Sequence, residues 1–112
     1  MSDILSAYDP DRLHARLVHL GEDWCDANAA AELLEKSEKS VLAEVMATSN
    51  QRSRTEREDS ARMSTIFKEH LTAIVDARRV ANRKRVLYDA AKVKIELMRS
   101  MESTRRAEMT LR

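Results

Sequence analysis

One glycine (Gly21) and one proline (Pro10) are all that punctuate this chain of 112 residues, and no other feature constrains its fold as much. Tight β-turns draw on Gly, Pro and Asn-Gly pairs, so strands would have little to connect them. Loops that cradle phosphates need glycines, which excludes P-loop and dinucleotide-binding folds. A chain this short supports one domain over 1–112. The expected architecture is all-α: a short N-terminal helix, then a long antiparallel helical hairpin of coiled-coil character, in an oligomer.

Residues 1–8 carry no periodicity and read as a loose leader. Met1 to Leu5 lacks the basic segment and apolar run of a secretory signal. No stretch approaches the roughly 18 apolar residues of a membrane span. Cys25 has no second cysteine to pair with, which suits a reducing compartment. A cytoplasmic protein with no membrane partner is expected.

The first helix is expected over 9–20, with Asp9 as N-cap and Pro10 at the first helical position. Leu13, Leu17, Val18 and Leu20 fall on one side of it. Gly21 then suits the left-handed position that ends a helix. A second helix follows over 22–49. Its residues Trp24, Ala27, Ala31, Leu34, Glu38, Val41, Val45 and Thr48 alternate spacings of three and four, the pattern of a coiled-coil seam interrupted at Glu38. Leu33, Leu42 and Met46 widen the stripe.

Thr48 to Ser53 is polar and unpatterned and reads as the turn. Thr55–Glu58 offers a capping box, with Ser53-x-x-Glu56 competing. A third helix is expected over 55–109, with no Gly or Pro to stop it. Two heptad tracks run along it: Phe67, Ile74, Ala81, Tyr88, Ile95; and Met63, His70, Ala77, Lys84, Ala91, Met98. Ile66, Ala73, Val80, Leu87 and Met101 add a third row. At 1.5 Å per residue the second helix spans about 40 Å and the third about 80 Å. The second helix therefore covers only half of the third. Leu87, Tyr88, Ala91, Ile95 and Met98 are left as an exposed apolar strip, and we expect them to form an oligomer interface.

The near-neutral total of 20 basic and 19 acidic residues hides a segregation. Residues 1–60 hold 13 acidic and seven basic side chains, and residues 61–112 hold six and 13. Arg78, Arg85, Lys92, Arg99 and Arg106 recur every seventh residue and share one helix face, with Arg79 and Lys84 beside them. A cation row at about 10 Å per step suits a polyanion backbone. The competing reading makes these residues coiled-coil flanks, paired with acids such as Glu32, Glu35, Glu38 and Glu44. The second helix ends too early to neutralise Lys92, Arg99 and Arg106, which leaves them for DNA or an acidic protein surface.

No chemistry is expected. His14 and His19 are five apart, about 140° around a helix, and no HExxH occurs. His19 and Cys25 flank Gly21, but two ligands do not close a zinc site. His70 lies in an apolar track. Asp23 and Asp26 put negative charge beside Cys25, which disfavours the thiolate a nucleophile needs. Carboxylate pairs such as Glu35 and Glu38 imply no pocket. We expect no catalytic residue, metal, cofactor or small-molecule substrate, and hence no enzyme. Tyr88, set among Lys84, Arg85 and Lys92, suits either stacking on an unpaired base or interface packing, and packing is the stronger reading.

The stretch from Glu69 to Met109, with Ala77-Arg78-Arg79-Val80-Ala81-Asn82-Arg83, Met98-Arg99-Ser100 and Arg105-Arg106-Ala107-Glu108-Met109, resembles a family of small helical proteins that bacteriophages encode near recombination genes. Over residues 30–110 the layout is similar to that of the phage recombination mediator family, UvsY. This resemblance implies a ring-like homo-oligomer in a bacterial host cell. Such a protein binds single-stranded DNA, contacts a single-strand-binding protein and helps load a recombinase. The mediators carry basic residues in the helix before the turn, whereas Val41 to Met46 has none. The expected function is single-stranded nucleic-acid binding through the third helix. The alternative is a protein–protein adaptor or assembly factor that uses the same helix for coiled-coil association.

Overall fold

The computed structural model describes residues 8–111, all of them helical or in short connections. Four helices follow in order: α1 (Pro10–Lys36), α2 (Glu38–Ala47), α3 (Arg54–Arg62) and α4 (Thr65–Thr110). The leader expected over residues 1–8 lies outside the described residues apart from Tyr8. By its internal contacts the chain, expected as one domain, divides into two compact units. One joins the chain up to Trp24 with the stretch from Arg83 onward, and the other is Cys25–Asn82.

The break expected at Gly21 is absent, because α1 runs straight through that residue. No glycine among the described residues has a positive φ, so Gly21 is an interior helical glycine and not a terminator. Its place in the first unit explains it. A Cβ built on Gly21 would stand 3.2 Å from Cε2 of Tyr88, so the missing side chain makes room for the ring. An interior glycine costs about 1 kcal/mol of helix propensity, and the close seat of an aromatic ring offsets that cost.

The continuity of α1 corrects a second expectation. Tyr88, Ala91 and Ile95 are half-buried and Met98 is 1% exposed; only Leu87, at 57%, stands largely open. The strip expected to lie bare is covered within the first unit, where residues of α1 such as Leu13, Leu17, Leu20 and Gly21 reach it.

The second unit holds the remaining buried side chains, Ala31, Ala61, Phe67 and Ala81. At Ser37 the backbone ladder persists (Ser37 N–H to Leu33 O, 3.0 Å; Val41 N–H to Ser37 O, 2.9 Å). The Ser37 hydroxyl also donates to Leu33 O at 2.7 Å, a back-bond that distorts helices locally. The chain leaves α2 at Thr48, whose hydroxyl donates to Val45 O. It re-enters helix at Ser53, an N-cap in extended conformation that accepts from the Glu56 amide at 3.1 Å. The Ser53 box thus prevails over the Thr55 box. α2 and α3 pack against one another across this turn.

The uninterrupted third helix is also corrected, since helix stops at Arg62 and restarts at Thr65. Ser64 serves both ends. Its hydroxyl donates to Ala61 O at 2.6 Å and accepts from the Phe67 amide at 3.2 Å, closing α3 and capping α4. The break leaves Met63 74% exposed, off the track expected for it, while Phe67 is 2% exposed. Leu33 is also turned outward, at 68%.

Two outcomes follow for stability, read from urea midpoints. Gly21→Ala is expected to stabilise a Tyr88→Leu background by about 1 kcal/mol and to lose that gain to crowding when Tyr88 is present. A glycine that ended a helix would instead be destabilised by alanine in both backgrounds. Ser64→Ala is expected to cost about 1 kcal/mol through loss of the cap.

Candidate nucleic-acid interface

The heptad row of cations does not behave as one surface. Arg78, in the second unit, is taken up by α1: its guanidinium meets Glu35 Oε1 at 2.7 Å and donates to Asn28 Oδ1 at 2.7 Å. This is the flanking pairing of a coiled coil, with Glu35 among the acids expected for it. Arg79 is exposed in the same unit. Arg106 lies 3.4 Å from Glu102. Glu102 is gripped more tightly by Arg105, at 2.6 and 3.1 Å. The Arg105 hydrogen bond, with a further contribution from Arg106, holds the Glu102 carboxyl below its ordinary value against the opposing effect of burial.

Arg85 and Lys92 instead meet two aromatic rings in the first unit. Trp24 and Tyr88 stack with centroids 5.6 Å apart and planes tilted by 32°. The Arg85 guanidinium lies over Trp24 at 5.8 Å, and Lys92 Nζ lies over Tyr88 at 5.9 Å. Both rings are half-buried, and the edge of the Tyr88 ring lies close to Gly21 of α1. Arg85 also has a loose exposed contact with Asp89, at 3.8 Å. Arg99, one heptad beyond Lys92, borders a small cavity lined by Tyr8, Leu13, His14, Leu17 and Ile95. Among the described residues no carboxylate lies within salt-bridge distance of Lys84, Lys92 or Arg99. Lys84 is half-buried at its apolar-track position, so its charge is less available than its neighbours'.

Sequence reasoning placed Tyr88 among cations but missed Trp24 as its neighbour. The two lie 64 positions apart in sequence and meet in the fold. The one usable signal was the seam position of Trp24 near the start of the second expected helix.

Other candidates stay apart. His19 faces Asp23 at 3.6 Å on one turn of α1, and Cys25 is exposed. The His70 ring meets Leu34 O at 3.0 Å, so a core-facing histidine ties α4 to α1 within the second unit. Among the described residues no three His, Cys, Asp or Glu side chains are grouped to hold a metal ion. No helix there is long and apolar enough to cross a membrane. The chain matches no family model, no curated protein and no solved structure.

A double-mutant cycle separates structural cations from free ones. Arg78→Ala with Glu35→Ala is expected to show a coupling of about 0.5–1 kcal/mol that fades with salt, while Lys92→Ala shifts stability by less than about 0.5 kcal/mol. The Glu102 pairing stabilises the end of α4 above the carboxyl's unfolded value of 4.5 and is lost as pH falls through its lower folded value. Helix signal from that end is therefore expected to decline below about pH 4.5 in the native chain, and Glu102→Gln to lack this step.

Proposed function

We propose that this chain binds single-stranded nucleic acid through the Arg85–Lys92–Arg99 row and the Trp24–Tyr88 pair of the first unit. One observation supports the reading above the others: cations at heptad spacing sit directly over half-buried aromatic rings. A phosphate backbone tracked by the cations would run beside the aromatic pair, and cations set next to aromatic rings are the combination that sequence-tolerant single-strand binders use. The contact set is narrower than the full heptad stripe. Arg78 and Arg106 are engaged within the chain, and Arg79 and Lys84 stand outside the aromatic cluster.

The proposed scaffold is an antiparallel helical hairpin that self-associates. In the first unit Gly21 meets Tyr88 while the earlier Leu13 and Leu17 share a cavity with the later Ile95. In the second unit Leu34 meets His70 while the earlier Asn28 meets the later Arg78. Both orders support an antiparallel run. The resemblance to phage recombination mediators narrows the proposal to an accessory of recombination, acting with single-stranded DNA and recombination proteins in the cytoplasm of a bacterial host.

A second reading, a protein–protein adaptor or assembly factor that uses the same helix, is favoured by the Arg78–Glu35–Asn28 cluster. There the basic stripe serves helix pairing instead of phosphate.

Trp24 is the only tryptophan and reports on the site directly. Titration with oligothymidylate at low salt is expected to quench its fluorescence. The logarithm of affinity should fall with the logarithm of salt at a slope of about −2 for three phosphate contacts. Lys92→Glu with Arg99→Glu is expected to weaken binding by at least about tenfold, and Arg78→Ala by less than about twofold. Unchanged fluorescence and anisotropy at low salt would overturn the reading in favour of the adaptor.

A further inference from the structure

Within the first unit α4 carries a second apolar row that stands exposed, its Ala90 bordering a cavity with Arg16 and Leu20 of α1. Val86, Ala90, Val93 and Leu97 are spaced four, three and four apart, the rhythm of a coiled-coil seam. All four are exposed, with Val86 at 66%, Val93 at 64% and Leu97 at 54%. The residues that α1 covers, Tyr88, Ala91, Ile95 and Met98, keep the same period on the far side of the helix, about 150° away at 100° per residue. α4 is therefore a two-seam helix here. Four layers of exposed seam, bounded by Arg83 and Ser100, leave an apolar strip that water does not favour.

The charges beside the seam select the occupant. One shoulder carries Leu87 and Lys94, and the other carries Asp89 and Glu96. When two copies of α4 lie parallel and in register, the shoulder residue of one meets the residue five positions later on the other. Asp89 of each copy then faces Lys94 of the partner subunit, twice by symmetry. Antiparallel packing instead sets Asp89 against Glu96, like charges on both sides of the contact. Asp89 is available for this role, since its contact with Arg85 is long, at 3.8 Å, and both side chains are more than half exposed.

We infer that a second copy of this chain docks on this face, forming a parallel, in-register homodimer through Val86, Ala90, Val93 and Leu97. Ala90 against its counterpart permits close approach of the two backbones at the second layer. The interface lies away from the covered residues Tyr88, Ala91, Ile95 and Met98 and uses neither Lys92 nor Arg99. It does not depend on nucleic-acid binding.

The test is sedimentation equilibrium across a concentration series, in a Cys25→Ser background. The native sequence is expected to pass from monomer to dimer as concentration rises. Val93→Glu, a change at an exposed position, should stay monomeric with unaltered helix content. Asp89→Lys and Lys94→Glu should each weaken dimerisation by about tenfold, and their combination should restore it. Val93→Cys should give a covalent dimer on oxidation, because parallel register sets this residue against itself. A concentration-independent monomer mass overturns the inference, as does dimerisation that survives Val93→Glu. Weak single variants without rescue in the double charge swap overturn the parallel register. None of these readouts involves nucleic acid, so they stand apart from the fluorescence titration.

Discussion

The close approach of the Tyr88 ring to bare backbone at Gly21 is the constraint from which the first unit follows. A side chain at that position would crowd the ring, which would have to give by a few tenths of an ångström beside Trp24. Because the glycine stays helical, α1 continues past it. The apolar positions Ala91, Ile95 and Met98 are then shielded by the chain's own N-terminal half. A residue that normally weakens a helix here sets the distance between two of them.

Charge follows the same logic. The sequence separates acids from bases along its length, but folding brings opposite halves together. In the first unit, residues 8–24 and 83–111 contribute ten basic and eight acidic side chains. In the second, nine basic side chains meet ten acidic ones. Segregation along the chain thus becomes near-neutrality in each unit. What distinguishes the first unit is placement, since Arg85 and Lys92 lie over the aromatic pair and Arg99 continues their heptad row. A local arrangement, not a net excess, makes that row a candidate for a polyanion.

Much of this fold was legible in the residues. The absence of turn formers implies helices. Of the seam Trp24, Ala27, Ala31, Leu34, Glu38, Val41, Val45 and Thr48, every position but the exposed Thr48 is buried or half-buried. Phe67, Ile74, Ala81, Tyr88 and Ile95 likewise turn inward. Two punctuation marks were misread, both because a local rule met a long-range fact. Gly21 looks like a helix end until the ring that needs its missing Cβ is in view. Ser64 looks like an ordinary helical serine until its hydroxyl is seen to bridge Ala61 and Phe67.

The division into units also bears on how the chain assembles. Cys25–Asn82 is a single unbroken stretch, and its contacts are available as soon as those residues exist. The other unit is stitched from two stretches with that entire segment between them, so Gly21 and Trp24 wait for Tyr88. Closing so long a loop is slower than forming nearby contacts. During synthesis the middle of the chain is therefore free to consolidate first. The aromatic and cationic cluster comes into being only when the residues from Arg83 onward meet those up to Trp24.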